Sequence, residues 1–329
     1  MNKINLILIV CCLLIISCNK KESSNENEKP IDELALLDAK IMKEPKDASL
    51  YYTRSRVLME KGNSQEALVD ILSAIDLDKK NPNFYVRKAD ILFSLGETTL
   101  AFSALQDGLK YDDKSSEIYL KSAELALYLR DYDKTMFNTD QVLLLDKINP
   151  KAYYLRGWAL KEKGDTINAV AAYKKAIELN PEYEQPFEEL GLLYAIKGDA
   201  LAIDYLNSTI NINPKNTNAM YALALFYQEH GMIQKALDTY QNILTISPNN
   251  ADALHNVGYI NLVEKKSYQD AIILFSKAIE ADSNYLEAYY NRGVTYQKIG
   301  ETQKAKDDFN KVIQINPNHK LPTEPATGI

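Results

Sequence analysis

The chain has 329 residues, 46% hydrophobic and 25% charged, the ordinary balance of a folded soluble protein. Its net charge of −7 and the lack of any Lys/Arg-rich run argue against a nucleic-acid surface. The three cysteines, Cys11, Cys12 and Cys18, all sit at the N-terminal end, so the rest of the chain has no thiol nucleophile and no disulfide.

Residues 1–17 read as a signal peptide. Lys3 supplies a positive start, and Ile4 to Ile16 is an apolar run of 13 residues, too short to span a bilayer. It ends Ile15-Ile16-Ser17-Cys18, which resembles the bacterial lipobox. That resemblance implies cleavage after Ser17 and acylation of Cys18, whose acyl chains (palmitate among them) anchor the chain at about 0.8 kcal/mol per buried CH₂. A secretory signal with an incidental cysteine is the alternative. Asn19 stands where the inner-membrane retention signal of enteric lipoproteins has Asp, which implies the outer membrane, on its periplasmic face or at the cell surface. Residues 18–30 are polar after the cysteine and read as a disordered tether.

Residues 31–45 carry one amphipathic helix with Leu34, Leu37 and Ile41 on one face, a half repeat that caps the array behind it. From 46 to 318 the sequence repeats itself with a period of 34. The clearest copy, Pro150 to Tyr183, predicts two helices closed by a turn at Gly164-Asp165 and stopped at Asn180-Pro181. Position 4 of the period reads Tyr51, Tyr85, Tyr119, Tyr153, Phe187, Met220, Leu254 and Tyr289. Position 8 is small in all eight copies: Ser55, Ala89, Ala123, Gly157, Gly191, Ala224, Gly258 and Gly293. Small residues there let two helix axes approach closely.

A period of 34 with this pattern resembles the tetratricopeptide repeat (TPR) family. The resemblance implies an all-α, right-handed superhelical solenoid of helix-turn-helix repeats. Repeat 3, Ser116 to Asn149, departs most: Arg130 replaces the turn Gly, Thr139 an aromatic and Lys147 a Pro. It is expected to be the softest. Repeat 5 is one residue short in its turn, and repeat 7 has an extra residue near Lys265-Lys266-Ser267. Residues 319–329, with two prolines, form a loose tail rather than a solvating helix. The last helix is then left with a flank bearing Phe309 and Ile313, covered either by Leu321 of the tail or by another chain.

Chemistry is sparse. His230, His255 and His319 lie far apart, with no metal-ligand spacing, no GxSxG serine and no glycine-rich phosphate loop. No enzyme activity, metal or small-molecule cofactor is expected. In the family resembled, positions 2, 5, 9, 12 and 13 of each first helix line the concave surface. Carried over, they give a groove of Tyr52, Arg56, Phe93, Leu127, Tyr154, Trp158, Leu192, Tyr221, Leu225, His255, Tyr259 and Tyr290. Aromatic and aliphatic side chains of this kind dominate protein interfaces; the alternative is that they pack against the next repeat. None of the repeats has the Lys at position 5 and Asn at position 9 of the clamp that holds chaperone C-termini. The expected role is a lipid-anchored envelope scaffold binding a protein or peptide segment in its groove. The rivals are a self-assembling structural protein stacking through its last helix and, less well supported, a carbohydrate binder or enzyme.

Overall fold

The computed structural model describes residues 33–319. The signal segment 1–17, Cys18, the tether 18–30 and Leu321 lie outside the described residues. Helix α1 (Glu33–Lys43) is followed by eight helix pairs. They are α2 (Ala48–Glu60) with α3 (Ser64–Leu77), α4 (Pro82–Ser94) with α5 (Thr98–Leu109), α6 (Ser116–Tyr128) with α7 (Tyr132–Leu145), and α8 (Pro150–Glu162) with α9 (Thr166–Leu179). Then come α10 (Glu184–Ile196) with α11 (Leu201–Ile212), α12 (Thr217–Glu229) with α13 (Ile233–Ile246), α14 (Ala251–Val263) with α15 (Tyr268–Ala281), and α16 (Leu286–Lys298) with α17 (Thr302–Ile315).

Each boundary has a local cause. Asn149 caps α8 by accepting the Ala152 N–H at 3.0 Å, and Asn216 and Asn250 cap α12 and α14 in the same way. Such caps contribute about 1 kcal/mol each. Between the helices of a pair the chain must turn left-handed, and Gly62, Gly96, Gly164, Gly198, Gly231 and Gly300 do so. Arg130 and Lys266 take the same conformation without being glycine, with φ of 60° and 55°. At the end of α7, where Lys147 stands in place of Pro, Asp146 accepts the Ile148 N–H at 3.1 Å and the bend survives.

The core follows position 8. A Cβ on Gly157 would stand 2.7 Å from the Tyr173 ring, on Gly258 2.8 Å from Phe275, and on Gly293 2.8 Å from Phe309. The first helix gives up its side chain so that the second can insert an aromatic. Where position 8 is Ser55, Ala89 or Ala123, the residue opposite is smaller: Ile71, Leu105 or Thr139, all buried. Repeat 6 alone carries both Ala224 and Tyr240, and buries both.

Two ion pairs close the ends. Arg54 donates through Nε and Nη2 to Asp70 and through Nη1 to Asp38 of α1, tying the cap to repeat 1. Arg292 holds Asp308 with the same fork and reaches Ser276 of repeat 7 with Nη1. Phe309 packs beneath Gly293 of its own repeat, but remains partly exposed where its equivalents Tyr173, Tyr240 and Phe275 are fully buried. No further helix pair among the described residues covers it; Ile313 is half-buried, as are its interior equivalents Ile177, Leu244 and Ile279.

Candidate functional site: the inner face of the first helices

Successive first helices touch along much of the array, α4 with α6, α6 with α8, α10 with α12 and α14 with α16, whereas successive second helices make no comparable contact. The first helices therefore crowd on the inside of the curve and the second helices splay outside. This geometry puts positions 2, 5, 9, 12 and 13 on the inner face.

The structure divides the expected groove residues into two groups. Those at position 5 are engaged within the solenoid. Tyr154 lies against Tyr173 and Tyr183 (ring centroids 6.0 and 5.3 Å), His255 against Phe275 and Tyr285 (5.6 and 5.1 Å), and Tyr290 against Phe309 and His319 (6.1 and 5.5 Å). Each also reaches position 6 of the next repeat where that residue offers a partner. Tyr221 Oη accepts from Asn256 Nδ2 at 3.0 Å, and His255 Nε2 faces Asn291 Nδ2 at 2.8 Å. The Arg87 guanidinium lies over the Tyr52 ring at 5.7 Å. Burial raises the Tyr154 hydroxyl well above the usual tyrosine range, with Glu189 adding to it. These side chains stitch one repeat to the next.

Positions 9 and 13 form the open surface, while at position 12 Leu127 and Leu262 are buried, Leu127 packing with Leu155 and Ala159 beneath it. Between α6 and α8 these positions border a cleft of about 410 Å³. Leu127, Leu155 and Tyr132 give its apolar lining, Trp158 and Tyr128 its aromatic walls, and Glu124, Arg130 and Glu162 its rim. Tyr128 is 74% exposed and meets Phe93 edge-on at 4.9 Å. A second cleft of about 340 Å³ lies between α10 and α12, bordered by Leu192, Ala195, Ile196, Leu225 and Phe226, with Glu229 at its rim. The two are built from equivalent positions, two repeats apart. Tyr259 continues the exposed apolar line in repeat 7, while Arg56 is an exposed charge at the N-terminal end.

Sequence reasoning placed position 13 on the inner face but named no residue there. From repeat 3 to repeat 7 it reads Tyr128, Glu162, Ile196, Glu229 and Val263, apolar and acidic by turns. Ile196 is 85% exposed. The signal was present in the sequence, as an alternation every 68 residues rather than every 34.

The charges on this face are unevenly satisfied. Lys121 contacts Asp90 at 2.8 Å and Glu124 at 2.6 Å, and Lys151 also pairs with Glu124. Burial would raise the Glu124 carboxyl, but hydrogen bonds to these two lysines more than offset it and hold it low. Lys161 pairs with Glu189 at 2.8 Å and lies 3.6 Å from Glu162. Glu188 is held only by the Asn216 amide at 3.0 Å, and Glu229 has no cation partner among the described residues. No group of three or more His, Cys, Asp or Glu that could hold a metal occurs among the described residues, and none of their helices is long and apolar enough to cross a membrane.

Comparison with known proteins gives a consistent picture. Tetratricopeptide repeat models match residues 150–183 and 286–319, 218–250 and 48–81, and a TPR repeat model matches 261–300. The chain is 28% identical over 197 residues to a BBSome complex member from Bos taurus, a stretch covering 58% of this chain and 37% of that protein. It is 29% identical over 210 residues to a TPR repeat-containing protein of Methanocaldococcus jannaschii, again covering 58% and 37%. The chain thus matches little more than a third of the length of these two relatives. Among solved structures, the C-terminal part of a TPR repeat-containing protein from Cytophaga hutchinsonii is similar in fold. Its TM-score is 0.60 at 20% identity, over 71% of this chain and 96% of that one.

Proposed function

We propose that this chain, which is a tetratricopeptide-repeat protein, is an adaptor that holds a segment of a partner protein along its inner face. The observation that carries this reading is the pair of apolar clefts at positions 9, 12 and 13. Their exposed side chains are not needed to hold one repeat on the next, and exposed apolar and aromatic groups gathered in a groove are what protein partners bury. A cross-linked pull-down should compare the normal protein with a variant changing Trp158, Leu192, Leu225 and Tyr259 to Ser. Partners lost from the variant, at unchanged helical content, are the expected result. An identical partner set would move binding off the inner face.

The adaptor reading extends to location. Ile15-Ile16-Ser17-Cys18 supports a lipid anchor at Cys18 in a bacterial envelope, with residues 19–30 as the tether and the outer membrane as the destination. Tethering confines the groove near the membrane, raising its effective concentration for envelope partners. Metabolic labelling with an alkynyl fatty acid should mark the protein and fail on Cys18→Ser, which should also leave the membrane fraction. Label retained by that variant would end the lipoprotein reading.

A second reading, self-association through the last repeat, has one observation in its favour: Phe309 is partly exposed where interior repeats bury its equivalents, and Ile313 lies beside it, half-buried. Sedimentation of Ile313→Ser against the normal protein addresses it, since Phe309 is needed beneath Gly293. A concentration-independent monomer in both would remove this reading.

A further inference from the structure

Position 13 alternates with twice the period of the fold, and so do the clefts. In each, the first repeat contributes an exposed apolar residue, Tyr128 or Ile196, and the second contributes a rim carboxylate, Glu162 or Glu229. Beyond the edge-on contact of Tyr128 with Phe93, an alternation of this kind adds little to packing, because Tyr128 and Ile196 are both largely exposed. It gives the inner face a register of two repeats, with the same apolar-then-acidic site presented twice.

The charge balance selects the occupant. Lys121, Lys151 and Lys161 of this face are already paired with Asp90, Glu124 and Glu189, and its cations unpaired among the described residues, Arg56 and Lys298, lie in repeats 1 and 8, away from both clefts. Glu229 and Glu188 face it without a cation, and Glu162 has only the distant, shared Lys161. Arg130 is the one cation bordering either cleft. An acidic segment would meet a surplus of its own sign, whereas a basic segment meets carboxylates that lack partners.

Resting on the groove reading above, we infer that the ligand is an extended, basic segment with two apolar anchor side chains, one seated in each cleft. A Lys or Arg next to each anchor meets Glu162 or Glu229. Touching helices lie about 8–10 Å apart and α8 and α10 barely meet, so equivalent points two repeats apart are separated by about 20 Å or more, at least about six residues of extended chain. Two linked anchors bind far more tightly than either alone, because the second seats at high effective concentration.

The test is selection of a random-peptide phage library on the residue 19–329 protein, followed by titration of the enriched peptides as synthetic, fluorescein-labelled probes. The expected consensus has two apolar residues at least about six apart with basic neighbours. Tyr128→Ser and Ile196→Ser, both at exposed positions that leave the fold intact, should each weaken binding by on the order of a hundredfold. The E162Q/E229Q double variant should flatten the salt dependence without loss of helicity. Peptides that lose affinity with one cleft substitution and ignore the other, or that are acidic, would overturn the two-anchor inference while leaving groove binding in place. Peptides indifferent to both substitutions, or no enrichment at all, would overturn the groove reading and this inference with it.

Discussion

Tyr173 and Tyr240 occupy the same place in repeats 4 and 6, and both are fully buried. Their hydroxyls differ. Tyr240 Oη donates to Gln228 Oε1 at 3.2 Å, whereas Tyr173 Oη has no hydrogen-bond partner. A buried hydroxyl without a partner forfeits its hydration, while a satisfied one contributes about 0.5–1.5 kcal/mol. Tyr173→Phe is therefore expected to be neutral or stabilising, and Tyr240→Phe to cost about 1 kcal/mol, measurable as a change in urea midpoint. His255 supplies the pH dependence. Burial lowers its pKa, only partly opposed by Glu287 and Asp252, and its Nε2 faces the Asn291 amide, which suits a neutral ring. The folded value lies below the unfolded 6.5, so the unfolded chain takes up the proton first as pH falls. The contribution is complete above about pH 6.5 and is lost as pH drops toward the folded value. His255→Gln should remove that slope; a stability profile unchanged across pH 5–7 would contradict the assignment.

At the scale of the helix pair, the decisive feature is the left-handed residue in the turn. Six repeats use glycine there, but repeat 3 uses Arg130 and repeat 7 uses Lys266. A side chain in this conformation costs roughly 1–2 kcal/mol, offset in part because glycine gives the unfolded chain more freedom. Arg130→Gly should thus stabilise the protein by about 1 kcal/mol in thermal or urea unfolding. The extra residue of repeat 7 and the missing one of repeat 5 both fall beside this turn, so the helices on either side keep their faces. Insertions are absorbed where no packing depends on them.

For the whole molecule, stability is a sum over repeats and their interfaces rather than a property of one core. The terminal forks of Arg54 and Arg292 on buried Asp70 and Asp308 hold the ends, where one neighbour is missing. The weak points lie inside. Repeat 3 pairs a strained turn with a core that places Thr135 and Thr139 where other repeats have apolar groups, each hydrogen-bonded only to backbone of its own repeat, as is the buried Asn138. At junction 4/5, where α8 and α10 barely meet, Lys161–Glu189 bridges the first helices. Native-state hydrogen exchange should show α7 opening at lower free energy than α13 or α15. Uniform protection along the array would refute this gradient.

The sequence by itself determined the helix pairs, their period and the residues at the close approaches. Each rests on local steric rules: small residues at position 8, glycine in the turn, Asn or Asp at a cap. It also marked the inner face, since position in the repeat decides which way a side chain points. What it left open was the fate of each side chain on that face. Tyr154, Tyr221 and His255 read as groove residues by position, yet the neighbouring repeat claims them, and Tyr290 lies against Phe309 of its own repeat and His319. Tyr128 and Ile196 are not among the residues carried over to the groove, yet they border the open clefts. That division depends on how closely one repeat stacks on the next, a distance set by many contacts between residues about 34 apart and written in no single window of the chain.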